Sequence, residues 1–436
     1  MRLAPSTGAQ GPDGIPGPAL PCPRMHKRGQ EHRLRGSRLP PSPGGRMRFA
    51  GIDIASETHV LAIVEADGAV ALKATPFGED AAGYQKALGL LGAPNEVVVA
   101  MEATGHYWKN LFAALAAVGH SVALLNPVRT HRFAAEDLER TKTDAIDALG
   151  IARFAAQKRP PPTQLPDAAT EELRELVRLR DRLLQDFGDR VRQLHRLVDL
   201  GFPEFTRYVR GLDSELASAI LHDYPTAAAF HGVSVKRLAA LRYDGRHQVG
   251  LDLARSLIEA ARHSVGRHHS AAYRVQVRYA CQDLDTLRRR LQELDHDIDG
   301  KLREHEVGRL LTTIDGIGPQ TAARVIAEVG DPAHFRSAGA LAAYVGTIPG
   351  LRQSGKRQHT RAALTPVGNA RLRAALWMPT LTAVRFNPWL RAHYQRLRTR
   401  GKLPKVALVA CMHKLLFAIY AVAKHRKPFI AQRATT

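Results

Sequence analysis

The sequence predicts an α/β N-terminal domain, a coiled-coil helical middle and a mainly α-helical, basic C-terminal domain. In the first third of the chain, strand-like runs alternate with segments of helical periodicity. In the middle, apolar residues recur at intervals of three and four. The last 105 residues contain no Asp or Glu. The 436 residues are 44% hydrophobic and 24% charged, which is typical of globular proteins. This length predicts several domains, with segments at 1–46, 47–165, 166–305 and 306–436.

Residues 1–46 are rich in proline, glycine and arginine and show no apolar periodicity. They hold eight basic and two acidic side chains. We therefore expect a disordered basic tail. The alternative is a mis-assigned start, because Met47 directly precedes the first strand-like run.

The segment 47–165 carries the pattern of a sheet covered by helices. The predicted strands are Phe49–Ala55, His59–Val64, Asn95–Glu102 and Ser121–Asn126. The predicted helices are Lys109–Val118 and Asp137–Ala156. The first two strands should form a hairpin, and the three prolines from Pro160 predict a stiff linker that ends the domain.

The middle segment contains two amphipathic stretches, each with the spacing of a coiled coil or a helical hairpin. Their apolar positions are Leu184, Phe187, Val191, Leu194 and Val198, and then Leu284, Leu287, Leu291, Leu294 and Ile298. Residues 202–270 between them show little readable pattern.

Residues 332–436 hold 19 basic and no acidic side chains, so a polyanion should lie against them, and nucleic acid is the first candidate. Cations proposed to bind it include Arg361, Arg371 and Arg373, and aromatic residues such as Trp377, Trp389 and Tyr394 lie among the cations of this region. The aromatic residues could equally pack in the core. Upstream, Ile314–Pro319 resembles the turn of a helix-hairpin-helix, where backbone amides can approach a phosphate.

Four carboxylates form the first candidate for chemistry. Asp53 is placed in the middle of a strand, Glu102 closes another strand, and Asp144 and Asp147 lie three apart on one helix face. Such an acid set predicts a Mg²⁺ site, since Mg²⁺ prefers carboxylate oxygens. Taken singly, each acid could instead end a strand or lie on a solvated helix face.

Ser354 is the second candidate, because it lies among Arg352, Lys356 and Arg357. These cations could hold a phosphodiester, offset its developing charge and ease loss of the hydroxyl proton. Alternatively, Ser354 lies in an ordinary surface loop. The local sequence alone does not distinguish a catalytic serine from such a loop residue.

The number and spacing of the cysteines and the hydropathy of the chain indicate where in the cell the protein is expected. Cys22, Cys281 and Cys411 are scattered, odd in number and outside any CxxC pattern, which favours a reducing cytoplasm over a disulfide scaffold or zinc site. No apolar run approaches the ~18 residues of a membrane span, since His413 and Lys414 interrupt the most apolar stretch. We therefore predict a cytoplasmic protein with no membrane partner.

In their order and spacing, these motifs resemble the insertion-sequence 110 family of transposases, the DEDD-type, RNA-guided recombinases. The first half matches at Gly51-Ile52-Asp53, Met101-Glu102-Ala103-Thr104-Gly105 and Thr141-Lys142-Thr143-Asp144-Ala145-Ile146-Asp147-Ala148. The second half matches at Gly316-Ile317-Gly318-Pro319-Gln320-Thr321-Ala322, Ala342-Ala343-Tyr344-Val345-Gly346, Ser354-Gly355-Lys356 and Gly368-Asn369-Ala370-Arg371-Leu372-Arg373. The resemblance runs from about Met47 to about Lys427, and residues 1–46 match nothing in the family pattern.

The resemblance implies a RuvC-like RNase H fold for the N-terminal domain, with the four acids as catalytic Mg²⁺ ligands. It implies a serine nucleophile, matched by Ser354, in a C-terminal transposase domain that cuts and rejoins DNA. A coiled coil between them would serve homo-oligomerisation, as a dimer or tetramer. The implied partners are donor and target DNA and a non-coding bridge RNA that pairs with both.

Three other functions stay open on the residues alone. A Holliday-junction-type nuclease with metal-activated water needs the four acids but not Ser354. A sugar-kinase or actin-like ATPase also opens with a Gly-Ile-Asp strand, but it needs a second, related domain that the sequence lacks. A non-enzymatic nucleic-acid binder explains the charge but not the acids.

Overall fold

The computed structural model describes residues 47–134, 143–350 and 367–430, together with the backbone of two short strands at 353–354 and 357–358. The predicted tail, residues 1–46, lies outside the described residues. The chain divides between Leu165 and Pro166 into two compact units, which we call unit 1 and unit 2.

Unit 1 is built on a mixed five-stranded sheet, in agreement with the predicted α/β class. Its strands are β1 (Arg48–Asp53), β2 (Thr58–Val64), β3 (Val70–Gly78), β4 (Val97–Glu102) and β5 (Ser121–Leu125). Their order across the sheet is β3-β2-β1-β4-β5. The β1–β2 and β2–β3 pairs are antiparallel, whereas β1–β4 and β4–β5 are parallel. The predicted hairpin of the first two strands is thereby confirmed.

Helices cover both faces of this sheet. They are α1 (Ala81–Leu91), α2 (Trp108–Ala117), α3 (Pro127–Ala134) and α4 (Asp144–Lys158). Successive strand residues point to opposite faces, so the sheet has two cores. On one face Ile52 packs with residues of α1 and α2, and on the other Phe49 packs with residues of α4.

Three details of unit 1 differ from the sequence prediction. β3, α1 and α3 were not predicted at all. α4 begins at Asp144 rather than at Asp137, because the Thr143 side chain caps it by accepting a hydrogen bond from the Ile146 amide; residues 137–142 lie outside the described residues. Asp53 is the last residue of β1 and does not lie in mid-strand, since the chain turns towards β2 immediately after it.

Unit 2 is mainly helical, as predicted. Its helices are α5 (Ala168–Gly201), α6 (Phe205–Tyr208), α7 (Glu215–Asp223), α8 (Val235–Ala239), α9 (Leu251–Arg262), α10 (Ala271–Glu304), α11 (Glu306–Leu311), α12 (Pro319–Val329), α13 (Ala338–Val345), α14 (Ala370–Ala375), α15 (Trp377–Phe386), α16 (Pro388–Thr399) and α17 (Pro404–His425). Two short hairpins complete it, β6 (Arg242–Tyr243) with β7 (His247–Gln248), and β8 (Gln353–Ser354) with β9 (Arg357–Gln358).

The two long helices α5 and α10 pack side by side in opposite directions. Salt bridges join Glu172 to Lys301, Arg180 to Asp295 and Arg190 to Asp283, so residue numbers rise on one helix as they fall on the other. The two predicted amphipathic stretches therefore lie on an antiparallel pair of helices within one chain.

The ends of this pair enter two different cores. Val177 and Ile298 belong to the core that the helices α11–α17 share. Leu194 and Leu284 belong to the core of a small helical lobe, residues 202–266. The predicted boundary at 305/306 thus falls between helices that contribute to one core.

Helix α17 is long and apolar enough to cross a membrane, with a mean hydropathy of 2.0, contrary to the expectation that no stretch would qualify. Just over half of its most apolar window, 56%, is buried inside unit 2. Leu415 and Ile419 lie fully inside the C-terminal core, which accounts for the apolar composition.

Candidate active site

Asp53 and Glu102 end two neighbouring parallel strands. β1 pairs with β4 in a register that places Ile52 beside Met101, so the next positions along, Asp53 and Glu102, lie at the same edge of the sheet. Neighbouring strands are about 4.8 Å apart. Both acids are in phase with the residues that face α4, so both point to the same face.

Helix α4 brings the other two acids to this end of the sheet. It lies directly on β1 at Gly51, where an added Cβ would stand 2.2 Å from the Ala148 carbonyl oxygen. The C-terminal half of α4 packs near Phe49, so the helix runs antiparallel to β1 and its first turn lies towards the end of β1. That first turn holds Asp144 and Asp147. We call the ends of β1 and β4 with the first turn of α4 the acidic edge.

The four acids differ in exposure. Asp53, Glu102 and Asp147 are half-buried, and Asp144 is exposed. The Glu102 carboxylate accepts a hydrogen bond of 2.5 Å from the buried Thr130 hydroxyl, which orients it. Asp144 and Asp147 also interact favourably with the positive end of the α4 dipole, and this structural role alone could account for them.

The carboxylates of the acidic edge are oxygen donors of the kind that Mg²⁺ prefers. Among the described residues, however, no three His, Cys, Asp or Glu side chains converge to hold a metal ion. The predicted metal ligands are therefore brought to one edge without being assembled into a coordination sphere.

A hydrogen-bonded network lies near the acidic edge, on the opposite face of the sheet. The fully buried His59 contacts the Glu79 carboxylate, with 2.6 Å between Nε2 and Oε2. Glu79 also accepts from the Tyr84 hydroxyl at 2.7 Å and from the Asn110 amide at 3.0 Å. The Ala55 amide donates to His59 Nδ1, which ties the network to the turn after Asp53.

Sequence reasoning missed this network, and Thr130 as well. His59 has the same phase in β2 as Leu61 and Ile63, which face the core, and this phase marks it as an inward-facing polar residue. Its partner Glu79 is 20 positions away and Asn110 is 31 positions beyond Glu79, so no local spacing connects the three residues.

Ser354 is the last residue of β8, and its backbone pairs with Arg357 of β9. The structure describes only the backbone at these two positions. Arg352, Lys356 and Arg361 lie outside the described residues. The predicted grouping of cations around the serine therefore stays a prediction.

Arg371 and Arg373, both on α14, have different surroundings. Arg371 is exposed, as a phosphate-binding residue must be. Arg373 is half-buried, and its Nη1 donates to the Val345 carbonyl oxygen at 3.1 Å. One of the two predicted nucleic-acid contacts thus also joins two helices of unit 2.

Three aromatic residues of the basic region are half-buried against the C-terminal core. Trp377, Trp389 and Tyr394 all contact the C-terminal core, and the Lys414 Nζ lies 4.0 Å from the centre of the Trp389 ring. This packing agrees with the alternative that we left open for them.

The turn that resembles a helix-hairpin-helix joins α11 to α12. Gly316 has φ 97°, and an added Cβ would stand 2.7 Å from the Ala383 backbone of α15. The need for glycine at this position therefore comes from packing within unit 2. An added Cβ at Gly318 would meet no atom within 4 Å among the described residues, so packing does not require glycine there.

Two family models match the chain. One, named for the DEDD transposases of IS110 and described as "Transposase", matches residues 50–203. The other, "Transposase IS116/IS110/IS902 family", matches residues 308–395. Together the two matches cover more than half of the chain.

Several curated proteins are similar along most of the chain. The "Mini-circle putative transposase for IS117" of Streptomyces coelicolor is 29% identical over 88% of this chain and 96% of its own length. A protein of insertion element IS116 from Streptomyces clavuligerus is 29% identical over 87% of this chain and 96% of its own length. The "Pilin gene-inverting protein" of Moraxella bovis is 27% identical over 76% of this chain and 80% of its own length.

Proposed function

The chain belongs to the IS110 family of transposases and is an enzyme that acts on DNA, and from this premise we propose that it recombines DNA through the acidic edge and Ser354. The observation that carries the proposal is that Asp53 and Glu102 end neighbouring strands on one face of the sheet and that the first turn of α4, with Asp144 and Asp147, lies towards the same end of β1. Carboxylates grouped at one end of a sheet are suited to bind a divalent cation.

The sheet order β3-β2-β1-β4-β5 supports a RuvC-like RNase H fold for unit 1. In that fold Asp53, Glu102, Asp144 and Asp147 hold Mg²⁺. When bound, the ion polarises the scissile phosphate and offsets its developing charge. The hydrogen bond from Thr130 would keep the Glu102 carboxylate oriented for binding the metal ion.

Ser354 supplies the nucleophile in this proposal. Its Oγ gives up a proton and attacks the phosphorus, and the bond from phosphorus to the leaving strand breaks as that strand takes a proton. A phosphoserine ester then joins protein to DNA. A strand hydroxyl later attacks the same phosphorus and releases the serine, so the bond is re-formed without an outside energy source.

The cations near Ser354 hold the phosphate during both steps. Arg352, Lys356, Arg357 and Arg361 supply charge beside the serine, and Arg371 extends it along α14. With 19 basic and no acidic residues in 332–436, this part of the chain suits both DNA and a guide RNA. We propose that the chain works with a non-coding bridge RNA and as a homo-oligomer, in the cytoplasm.

A search for the covalent intermediate tests the proposal. A nicked DNA substrate that loses its leaving strand is incubated with the protein and Mg²⁺, and the products are separated on a denaturing gel. The parent should give a DNA-shifted protein band, and Ser354→Ala should give none while still binding DNA. Ser256→Ala, on the surface of α9, is the matched control and should behave like the parent.

The main competing function is hydrolysis by a metal-dependent, Holliday-junction-type nuclease. It requires the acidic edge but no serine ester. If Ser354→Ala cuts DNA at the parent rate and no adduct forms with any protein, this alternative holds. The name of the Moraxella relatives, which invert a pilin gene, favours rejoining of strands over hydrolysis.

A further inference from the structure

The small helical lobe of unit 2 carries a projecting hairpin that the proposed function does not use. The lobe is the insertion between α5 and α10, and its core is formed by residues such as Phe202 and Phe230. From this core, α8 leads into the β6–β7 hairpin. We call residues 235–250 the basic arm.

The basic arm is held in a fixed conformation. Two of the three residues in its loop, Asp244 and Gly245, have positive φ, 50° and 72°. The Asp244 carboxylate accepts hydrogen bonds from the Arg246 and His247 amides at 3.1 and 3.0 Å. At the base, the amide of the buried Val249 continues the ladder by donating to the Leu241 carbonyl.

The arm is positively charged, and its charges are not used within the protein. Lys236, Arg237, Arg242 and Arg246 are exposed, and none of them forms a salt bridge with any residue that the structure describes. The single acid of the arm, Asp244, is engaged in its own turn.

Helix α9 of the same lobe differs from the arm, because its cations are paired with anions. On α9, Arg255 pairs with Asp252 at 3.4 Å and Arg262 pairs with Glu259 at 3.1 Å. Cations and anions are therefore matched on that helix, while on the arm four cations face solvent beside one turn-bound carboxylate.

An aromatic pair gives the arm a flat face as well. Tyr243 and His247 are directly opposite each other in the ladder, with ring centres 5.9 Å apart and planes 27° apart. The His247 side chain is two-thirds exposed, 67%. Rings of this kind can contact sugars or bases next to a phosphate backbone.

We propose that the basic arm binds the phosphate backbone of duplex DNA. A rigid two-stranded ribbon fits the B-form major groove, which is about 12 Å wide, whereas the major groove of duplex RNA is too deep and narrow. Four unpaired cations on one ribbon and its adjacent helix would contact phosphates on both sides of the groove. This contact lies outside the basic region 332–436 and adds a second DNA surface to the proposed recombinase.

Binding measurements on the full chain test the arm directly. Arg242→Gln with Arg246→Gln removes two unpaired charges, and Arg255→Gln with Arg262→Gln removes two paired charges from the same lobe. Affinity for a short duplex DNA is measured by fluorescence anisotropy from about 50 to 200 mM salt. The arm variant should bind about tenfold more weakly. The slope of log affinity against log salt concentration should fall by roughly two units, because each phosphate contact that is lost removes about 0.9 from it.

The control variant should match the parent in affinity and slope. Adding Lys236→Gln and Arg237→Gln should deepen the loss, and Arg242→Lys with Arg246→Lys should restore most of it. Equal binding by the arm and control variants would overturn the proposal, and so would a loss seen only with duplex RNA. Because no cleavage is measured, failure of the serine mechanism would leave this result unaffected.

Discussion

His59 donates to Glu79 from beneath the turn that leads away from Asp53. The Ala55 amide can only donate, so His59 Nδ1 accepts and the ring proton lies on Nε2, 2.6 Å from the carboxylate. Glu79 thereby joins the turn after β1 to α1 through Tyr84 and to α2 through Asn110. A single carboxylate therefore connects the turn that follows Asp53 to the helices α1 and α2.

Replacing Glu79 with glutamine should destabilise unit 1 by about 1–3 kcal/mol. A glutamine accepts through one atom, so it cannot satisfy both His59 and Tyr84 on one side and Asn110 on the other. Urea unfolding at neutral pH measures the loss. Glu57→Gln, at an exposed position in the same unit, is the control and should unfold like the parent.

The same pair predicts a pH dependence. Burial raises the pKa of Glu79, but the hydrogen bonds from Tyr84, His59 and Asn110 outweigh it and leave the pKa below its usual value of 4.5. The stabilisation by the ionised carboxylate is therefore complete above pH 4.5 and is lost as the pH falls through the lowered pKa. The stability difference between parent and Glu79→Gln should shrink over this acidic range; a constant difference would contradict the network.

Alanine at Asp53, Glu102, Asp144 or Asp147 should abolish DNA cleavage and leave RNA and DNA binding intact. These acids hold the metal in our proposal, and binding rests on cations elsewhere. Chelating Mg²⁺ should stop the parent in the same way. Asp67→Ala, in the exposed turn between β2 and β3, is the control and should cut normally. Full recombination by any two of the four variants in Mg²⁺ would refute the acidic edge as a metal site.

Gly51→Ala should destabilise unit 1 by about 1–3 kcal/mol or more, because the new Cβ would overlap the backbone of α4. The nearest atoms are the Ala148 oxygen at 2.2 Å and the Ala152 nitrogen at 2.3 Å. Pushing α4 away should also displace Asp147 and slow cleavage. Thermal unfolding and a cleavage assay measure the two effects.

Gly150→Ala is the matched control on the same helix. No atom among the described residues lies within 4 Å of its added Cβ, so the change should be neutral or stabilising by about 0.5–1 kcal/mol. If both variants behaved alike, the contact of α4 with β1 would be looser than described.

Arg371→Ala and Arg373→Ala should have separable effects. Arg371 is exposed, so its loss should weaken nucleic-acid binding and flatten the salt slope by about one unit. Arg373 donates to the Val345 carbonyl, so its loss should lower stability by about 1–3 kcal/mol. Salt-dependent binding and urea unfolding are measured for both, with Arg371→Lys as the charge-retaining control. An unchanged slope for Arg371→Ala would remove it from the proposed interface.

The strands that the sequence predicted well are the buried ones. β1, β2, β4 and β5 read as apolar runs because most of their residues face one core or the other. β3 was missed because it is an edge strand, mostly exposed, and contains Lys73 and Pro76, which an edge tolerates and a central strand does not.

The candidate site was predictable as a set of residues but not as an arrangement. The strand-end position of Glu102 and the three-residue spacing of Asp144 and Asp147 were visible in the sequence. That Asp53 and Glu102 share a face depends on the β1–β4 register, a long-range property that no local pattern encodes. The His59 and Glu79 pair depends in the same way on strands and helices meeting in three dimensions.

The antiparallel pair of α5 and α10 sets the distance between the two cores of unit 2. Between the two cores that it joins, α5 runs from Val177 to Phe187 without packing against either of them, a span of roughly 15 Å at about 1.5 Å per residue. The salt bridge between Arg180 and Asp295 joins α5 to α10 within that span. A duplex held by both the basic arm and the C-terminal helices would therefore be covered over roughly four more base pairs, at about 3.4 Å each, than by those helices alone. The length of the helix pair, rather than any contact with bases, would then set the size of the footprint.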